Sequence, residues 1–317
     1  MGTLKLMKPA LSDRWALVTG TSTGIGRAIT LSLARQGVRV FAGVRREADE
    51  RNLTDEASRA GVRGQVIPLV LDVTKEQDIE LGIERISAST GADGLWALIN
   101  NAGIVIPGPI EHLSLSEWRR QFDVNFFGVV ELTRRALPLL RRAVKKLGAH
   151  APRVMLVSSI GGRIAQPIMA PYTSSKFATT ALGDALRLEL RRQGIGVTVL
   201  EPGAVATAIW EKGDDSARHF SASHPARPLY GPEIDGLATA ARNAARTAIP
   251  AEKAAEIVLK ALSAEHAPAR VLVGRDAKIA ASLAQWLPRA WFDALLLQQY
   301  GVAKLDVQLQ ADASNAM

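Results

Sequence analysis

Seven short apolar segments recur along the chain, and longer segments with helical spacing of apolar residues lie between most of them. In order they are "WALVTG", "VRVFAGV", "QVIPLVLDV", "LWALIN", "RVMLVSS", "GVTVLEPG" and "ARVLVG". Near-continuous apolar character is typical of strands that are covered on both faces. Alternation of such strands with helices indicates parallel βαβ crossovers. We therefore predict an α/β fold, a doubly wound seven-stranded parallel sheet in a three-layer α/β/α sandwich.

The division of the chain follows from where this rhythm stops. A chain of 317 residues, 47% of them hydrophobic, can bury one large core. We expect an N-terminal arm over 1–12, a Rossmann-type domain over 13–275 and a C-terminal extension over 276–317. Residues 208–250 are polar and broken by proline and glycine, which favours a substrate loop or lid. The extension contains "SLAQWLPRAWFDALLLQQYG", whose aromatic residues suit either surface packing or peripheral membrane contact.

Composition excludes several classes of site. The chain has no cysteine, so it can form neither a disulfide nor a cysteine metal site or nucleophile. Its start lacks a signal-peptide core, and no run approaches the ~18 apolar residues of a spanning helix, so we expect a cytoplasmic protein. The net charge is +8, but the densest basic stretch, "RRALPLLRRAVKK", has the spacing of a solvated helix face rather than a nucleic-acid site. The five histidines lack ligand spacing, and we expect no metal.

A glycine-rich turn, "VTGTSTGIGRA", joins the first strand to the first helix and contains Gly20, Gly24 and Gly26. Glycines allow a tight turn that brings backbone N–H groups against a phosphate, and the helix N-terminus adds a favourable dipole. The spacing differs from the Gly-x-Gly-x-x-Gly pattern of dinucleotide-binding proteins. A plain strand-to-helix turn remains the alternative.

The end of the second strand bears on the choice of nucleotide. An NAD-binding sheet normally offers an acidic residue there, but this strand runs into Arg45 and Arg46. Arginine can pair with a ribose 2′-phosphate, which favours NADP(H), although two solvent-exposed arginines at a helix start would look the same. Asp72 ends the third strand, and we expect a capping box between Thr74 and Gln77 that leaves Asp72 free for an adenine amino group. An ordinary turn aspartate is the alternative.

The segment "YTSSK" places Tyr172 one helical turn before Lys176. A free phenol has a pKa of about 10, and a nearby ammonium on the same helix face favours the phenolate. Such a pair suits proton transfer, although a packed tyrosine beside a solvent-reaching lysine is the alternative. Ser174 and Ser175 point away from that face, so we assign them to packing or solvent.

Six motifs in order resemble those of the short-chain dehydrogenase/reductase family. They are "TGTSTGIG" at 19–26, "NNAG" at 100–103, Asn125 in "FDVNFFG", Ser159 in "VMLVSSIGG", "YTSSK" at 172–176 and "PGAVAT" at 202–207. The resemblance covers about residues 13–275. In addition, "VFAGVRR" and "FDVNFFGVVELTRRALPLL" resemble the branch that acts on hydroxysteroids, retinoids and similar apolar alcohols.

The resemblance implies a catalytic tetrad of Asn125, Ser159, Tyr172 and Lys176. Tyr172 is then the general acid/base, and Ser159 hydrogen-bonds the substrate oxygen. Lys176 lowers the pKa of the phenol and holds the nicotinamide ribose. A local kink at Asn125 holds a proton-relay water near Lys176. Ser158 should point to the opposite side of its strand, because side chains alternate between faces.

The implied cofactor is NADP(H), with NAD(H) as the alternative. Asn101 fixes the backbone after the fourth strand, and segment 202–207 meets the nicotinamide carboxamide and the diphosphate. The residues assigned to the cofactor are Gly20, Thr21, Ser22, Thr23, Gly24, Ile25, Gly26, Arg45, Arg46, Asp72, Val73, Asn101, Ala102, Gly103, Tyr172, Lys176, Pro202, Gly203, Val205 and Thr207.

The function implied by the resemblance is hydride transfer between the cofactor and a CH–OH group, interconverting an alcohol and its ketone or aldehyde. The branch suggests a bulky apolar substrate. A homodimer or homotetramer is expected through the long helices that hold Asn125 and Tyr172, where Ala178, Ala181 and Ala185 allow close approach. Two other functions on related folds stay open, namely a non-catalytic NADP-binding sensor and an epimerase or dehydratase.

Overall fold

A computed structural model of the chain describes residues 11–147, 151–207, 220 and 223–302. Within these residues, seven parallel strands form one sheet in the order β3-β2-β1-β4-β5-β6-β7. The strands are β1 (Trp15–Thr19), β2 (Arg39–Val44), β3 (Val66–Val70), β4 (Ala97–Asn100), β5 (Arg153–Val157), β6 (Gly196–Pro202) and β7 (Arg270–Val273). The predicted doubly wound sheet is confirmed. The strand order reverses between β1 and β4, where such sheets form a binding crevice.

The helices cover both faces of this sheet. They are α1 (Gly24–Arg35), α2 (Glu47–Arg59), α3 (Glu76–Thr90), α4 (Leu115–Phe122), α5 (Gly128–Leu147), α6 (Ala170–Leu190), α7 (Arg227–Thr247), α8 (Ala251–Leu262), α9 (Arg275–Trp286) and α10 (Arg289–Gln299). Across the part of the chain given above, no helix is long and apolar enough to cross a membrane.

Two apolar cores lie on opposite faces of the sheet, as the alternation of side chains along a strand requires. On β1, Ala16 and Val18 pack into the core under α1 and α8, whereas Trp15 and Leu17 pack into the core under α3, α5 and α6. Since both faces are covered, most strand residues are apolar. Glu201, near the end of β6, is a fully buried carboxylate among them.

The starts of α3 and α4 differ in how they are capped. Ser114 forms a capping box with Glu117 at the start of α4. The box at Thr74 was wrong, because α3 begins at Glu76 with Lys75 in the capping position. The Thr74 hydroxyl instead donates to Asp72 Oδ1 at 2.8 Å. An aspartate two residues upstream competes for the threonine side chain, as is common in Asx turns.

The predicted substrate loop over 208–250 is in large part a helix. Residues 208–219, 221 and 222 lie outside the described residues, but α7 occupies most of the remainder. Pro228 lies in the first turn of α7, where the missing N–H has no intrahelical partner, and the second half is rich in alanine. The C-terminal extension forms α9 and α10, separated at Pro288, while 303–317 and residues 1–10 of the arm lie outside the described part.

The basic stretch of α5 is largely paired with neighbouring side chains. Arg135 contacts Glu131, Glu76 and Glu80, and Lys146 contacts Asp93 at 2.6 Å. These contacts are those of a charged surface helix, the interpretation that the sequence favoured.

Candidate active site

The glycine-rich turn lies at the carboxyl end of β1 and opens α1. Gly20 has φ +66°, and a side chain there would lie 2.8 Å from Ala102 Cα. Gly24 has φ +61°, and a side chain there would meet Thr207 at 2.9 Å. Only glycine fits these positions without strain. The first amides of α1 have no intrahelical partner, so they are available for a phosphate.

The turn is braced by Asn101, which follows β4. Its Nδ2 donates to the carbonyl oxygens of Thr19 and Gly20, at 2.8 and 3.1 Å. The Thr19 hydroxyl in turn accepts from the N–H groups of Asn101 and Ala102. These bonds join the ends of β1 and β4 across the switch point of the sheet, the place that the sequence assigned to Asn101.

The two arginines after β2 have different surroundings. Arg46 pairs with Asp49 through two hydrogen bonds of 3.1 and 3.2 Å at the start of α2. Arg45 is exposed and forms no hydrogen bond or ion pair with a residue of the described ranges. Thr21 of the glycine turn donates to Gly43 O, which places the turn beside the end of β2. Arg45 is therefore the arginine left available for an anion next to the turn.

Asp72 is less free than the sequence predicted. Its Oδ1 accepts from both the N–H and the hydroxyl of Thr74, and its N–H donates to Asp78. Its Oδ2 has no hydrogen bond with a described residue, so one acceptor remains at the end of β3. The neighbouring Val73 is buried against Gly128 at the start of α5.

Tyr172 and Ser159 face each other. Ser159 follows β5 and begins the 3₁₀ turn Ile160–Gly162, while Tyr172 lies in the first turn of α6. Burial raises the pKa of the Tyr172 phenol, and its interaction with the nearby Ser159 hydroxyl partly opposes the rise.

Lys176 is buried beside Tyr172, and only 5% of its surface is exposed. Its Nζ donates to Val157 O at 2.8 Å and lies 5.8 Å from the centre of the Tyr172 ring. Burial lowers the pKa of the ammonium to about 8. The structure departs from the expected lowering of the phenol pKa by Lys176, because burial dominates the titration of both groups.

Asn125 lies in a π-helical turn, Asp123–Phe127, between α4 and α5, which is the predicted kink. Its side chain forms two hydrogen bonds with the backbone of Ile104: it accepts from the N–H at 2.9 Å and donates to the carbonyl at 3.1 Å. Its own carbonyl accepts from Thr179 of α6 at 3.0 Å. A carbonyl oxygen has two lone pairs, so this one could accept a second bond from a relay water.

The sequence offered no signal for Gln121, which lies one turn before Asn125 and is fully buried. Its amide accepts from Ile106 N–H at 2.7 Å and donates to Ile104 O at 2.8 Å. The two amide side chains therefore hold the segment after "NNAG" against α4.

The three serines next to the tetrad residues point in different directions. Ser158 turns away from Ser159 and bonds Lys176 O and Thr180 of α6. Ser174 is exposed. Ser175 is buried, accepts from Asn125 Nδ2 at 3.1 Å and donates to Tyr172 O at 2.7 Å. Ser175 therefore belongs to packing, as predicted, but it also orients Asn125.

Segment 202–207 leaves β6 next to the glycine turn. The Ala204 N–H donates to Asp276 Oδ2 at 2.6 Å, and Gly203 N–H donates to Val273 O at 2.9 Å. Val205 pairs with Ile249, and Thr207 lies against Gly24. Asp276 comes from the C-terminal extension, so that extension anchors a segment assigned to the cofactor, a contact that motif spacing cannot reveal.

An apolar cluster adjoins the Tyr172 side of the site. It consists of Ile168, Phe220, Ala226 and Ile234. Ile168 has φ +64°, a costly conformation for a β-branched residue, and its carbonyl accepts from Gly108 N–H at 2.7 Å. The cluster joins the start of α7 to the loop before Tyr172.

The histidines described by the structure form no metal site. His112 and His224 approach with ring centres 5.6 Å apart, although the sequence gave them no common spacing. No group of three or more metal-binding side chains occurs in the ranges that the structure describes. His150 and His219 lie outside those ranges.

Comparisons with known proteins agree with this geometry. The family model described as "short chain dehydrogenase" matches residues 14–217. The chain is 34% identical over 260 residues to an NADPH-dependent 3-dehydrocapnine reductase of Ornithobacterium rhinotracheale, covering 82% of this chain and 88% of the relative. It is 30% identical over 304 residues to bovine (Bos taurus) 17-beta-hydroxysteroid dehydrogenase type 6, covering 92% and 90%. A short chain dehydrogenase from Burkholderia cenocepacia, solved with NADP, superimposes with a TM-score of 0.66 at 25% identity, covering 90% of this chain and 98% of the other.

Proposed function

The chain belongs to the short-chain dehydrogenase/reductase family, and we propose that it is an NADP(H)-preferring oxidoreductase that interconverts an alcohol and its ketone or aldehyde. The observation that carries this proposal is the meeting of Tyr172, Ser159 and Lys176 beside the glycine turn, at the carboxyl ends of the strands. NAD(H) stays the alternative cofactor. We also propose that residues 13–275 form the catalytic domain and that residues 276–317 form a C-terminal extension.

The residues present fit a dinucleotide. The turn with Gly20 and Gly24 would hold the diphosphate, Arg45 the 2′-phosphate, and Lys176 the nicotinamide ribose. The bound cofactor would supply or accept the hydride. Ser159 would orient the substrate oxygen by a hydrogen bond, and Tyr172 would give or take the proton at that oxygen. A path from Lys176 to a water at the Asn125 carbonyl would return the proton.

We propose an apolar substrate of the steroid, retinoid or fatty type, which agrees with the relative named as a 17-beta-hydroxysteroid dehydrogenase and with the apolar cluster around Ile168 and Phe220 near the loop before Tyr172. The test is a panel of such ketones, aldehydes and alcohols, incubated with NADPH or NADP+ and in parallel with NADH or NAD+, while absorbance of the reduced nicotinamide is followed. Turnover of an apolar carbonyl compound with NADPH is expected. Tight NADPH binding without turnover of any compound would favour the sensor.

Replacement of Arg45 by alanine is expected to raise the KM for NADPH about 10- to 100-fold and to leave the KM for NADH nearly unchanged, because only NADPH carries the phosphate that Arg45 would bind. Arg59→Ala, which removes an exposed arginine from the far end of α2, is the matched control. Initial rates measured at several concentrations of each cofactor give the KM for NADPH and the KM for NADH of the wild type and of every variant. Equal changes for both cofactors in Arg45→Ala would refute the phosphate role, and Arg46→Ala shows whether the arginine paired with Asp49 contributes.

We also propose homo-oligomerisation through α6, whose outer face exposes Phe177, Ala181 and Leu188. Sedimentation equilibrium should show a dimer or tetramer, and Leu188→Glu should dissociate it; a monomeric wild type would refute the proposal.

Trp286 and Trp291 of the extension are 78% and 69% exposed and would form any membrane contact. Cosedimentation with phospholipid vesicles tests that contact in the same preparation, while recovery in the cytosolic fraction would agree with the predicted location.

A further inference from the structure

A carboxylate is fully buried directly before the nicotinamide segment. Glu201 is the penultimate residue of β6, directly before Pro202, and its side chain has no exposed surface. The Arg163 guanidinium holds both of its oxygens, with Nε at 2.9 Å from each and Nη2 at 2.8 Å from Oε2. This bidentate geometry fixes the direction as well as the distance between the two side chains.

Arg163 closes the turn that begins at the catalytic serine. The turn runs over Ile160–Gly162, with Ser159 before it and Arg163 after it. Within it, Gly161 N–H donates to Ser159 Oγ at 3.0 Å, and Arg163 N–H donates to Ile160 O at 2.9 Å. A displacement of Arg163 is therefore transmitted to the Ser159 hydroxyl through one short turn.

A second arginine binds the other side of the carboxylate. Arg270 of β7 lies 3.1 Å from Glu201 Oε1 and also pairs with Asp184 of α6, the helix that holds Tyr172. Two arginines and two carboxylates balance in charge. Arg270 ties Glu201 to the core of the sheet and to α6, whereas Arg163 alone ties it to the serine turn.

We propose that Arg163 and Glu201 are positioning residues that set the distance between the Ser159 hydroxyl and the nicotinamide segment 202–207. The inference rests on the proposed function, since it concerns the same site. Stability alone does not account for a buried ion pair, because two well-packed apolar residues in its place are often as stable or more stable. A catalytic hydroxyl, by contrast, must be held closely, since a shift of about 1 Å can cost about 100-fold in rate.

The test compares Arg163→Met, Glu201→Leu and the double variant with the wild type. Each single variant leaves the group of two arginines and two carboxylates one charge out of balance and should be less stable, whereas the double variant keeps the Arg270–Asp184 pair and should regain most of the stability. We expect kcat to stay at least about tenfold lower in the double variant, with the KM for NADPH nearly unchanged. Recovery of kcat together with stability would show a merely structural role and overturn the proposal.

Arg270→Met is the matched control, because it removes an arginine from the same carboxylate without touching the serine turn. It should lower stability but keep kcat near the wild-type value. A loss of kcat equal to that of Arg163→Met would overturn the assignment to Arg163. All rates are measured where circular dichroism shows each variant fully folded.

A second readout needs no substrate. The nearby Ser159 hydroxyl lowers the pKa of the Tyr172 phenol, so a displaced serine turn should raise that pKa. Alkaline ultraviolet difference spectra of each variant, with and without Tyr172→Phe, isolate this phenol among three tyrosines. We expect a higher Tyr172 pKa in the double variant than in Arg270→Met. An unchanged pKa would overturn the positioning role even if no panel compound is turned over, so the two proposals fail separately.

Discussion

Tyr172→Phe is expected to lower kcat by about 10²- to 10⁴-fold, the contribution typical of a well-placed general acid or base. The variant keeps the ring packed beside Lys176 but removes the only phenol that contacts Ser159 in the described structure. The affinity for NADPH should fall by less than about tenfold, because at most one hydrogen bond to the cofactor is lost. Steady-state turnover and fluorescence titration with NADPH measure the two quantities.

Tyr300→Phe is the matched control for this variant. Tyr300 is also buried, and burial raises the pKa of its phenol to about 12, but its backbone lies against Gly236 of α7 and it is not part of the tetrad. Its kcat should equal that of the wild type. If Tyr172→Phe retained kcat within a few-fold, the proton would have to pass through another group and the proposed mechanism would be wrong.

Burial of Lys176 should make the stability of the protein depend on pH in a defined window. The pKa of the ammonium is about 8 in the folded protein against 10.5 for an ordinary lysine. Between these values the unfolded chain holds the extra proton, so the free energy of unfolding rises with pH. The gain should reach about 3 kcal/mol by the top of the window, and below the folded pKa the full penalty of the buried ammonium persists.

Lys176→Met removes this titration, so the stability difference between Lys176→Met and the wild type should change by that amount across the window. Both proteins should carry Tyr172→Phe, which removes the neighbouring phenol from the titration. Chemical denaturation at several pH values gives the free energies. Lys253→Met, at an exposed lysine, should show no such change. If the free energy of unfolding had the same pH dependence in Tyr172→Phe with and without Lys176→Met, the Lys176 ammonium would not be destabilised by burial.

The fold was predictable because its signal is local and repeated. Each strand of a sheet covered on both faces must be apolar along its length, so seven such segments were visible without any contact information. The glycine turn was equally visible, since Gly20 and Gly24 occupy backbone conformations that other residues adopt only with strain. The kink at Asn125 followed from the resemblance and from the poor fit of asparagine within a helix.

Other parts of the site depend on side chains far apart in the chain. The box expected at Thr74 failed because two neighbours competed for one hydroxyl, and only the final geometry decides such a competition. Nothing in the sequence paired Arg163 with Glu201, or Asp276 with the backbone of Ala204. The phenol pKa also escaped prediction, because the spacing of Tyr172 and Lys176 indicates their proximity but not the depth of their burial.

The sequence by itself therefore determined the layered sheet, the glycine turn and the residue types of the tetrad, since all three are set by short-range constraints on the backbone and by motif order. Only the tertiary structure decided which arginine stays available beside the turn, what braces the serine, and how burial shifts the proton affinities of Tyr172 and Lys176. The proton affinities depend on desolvation, and the brace on the serine depends on pairing between segments about 40 to 70 residues apart, which no local pattern encodes.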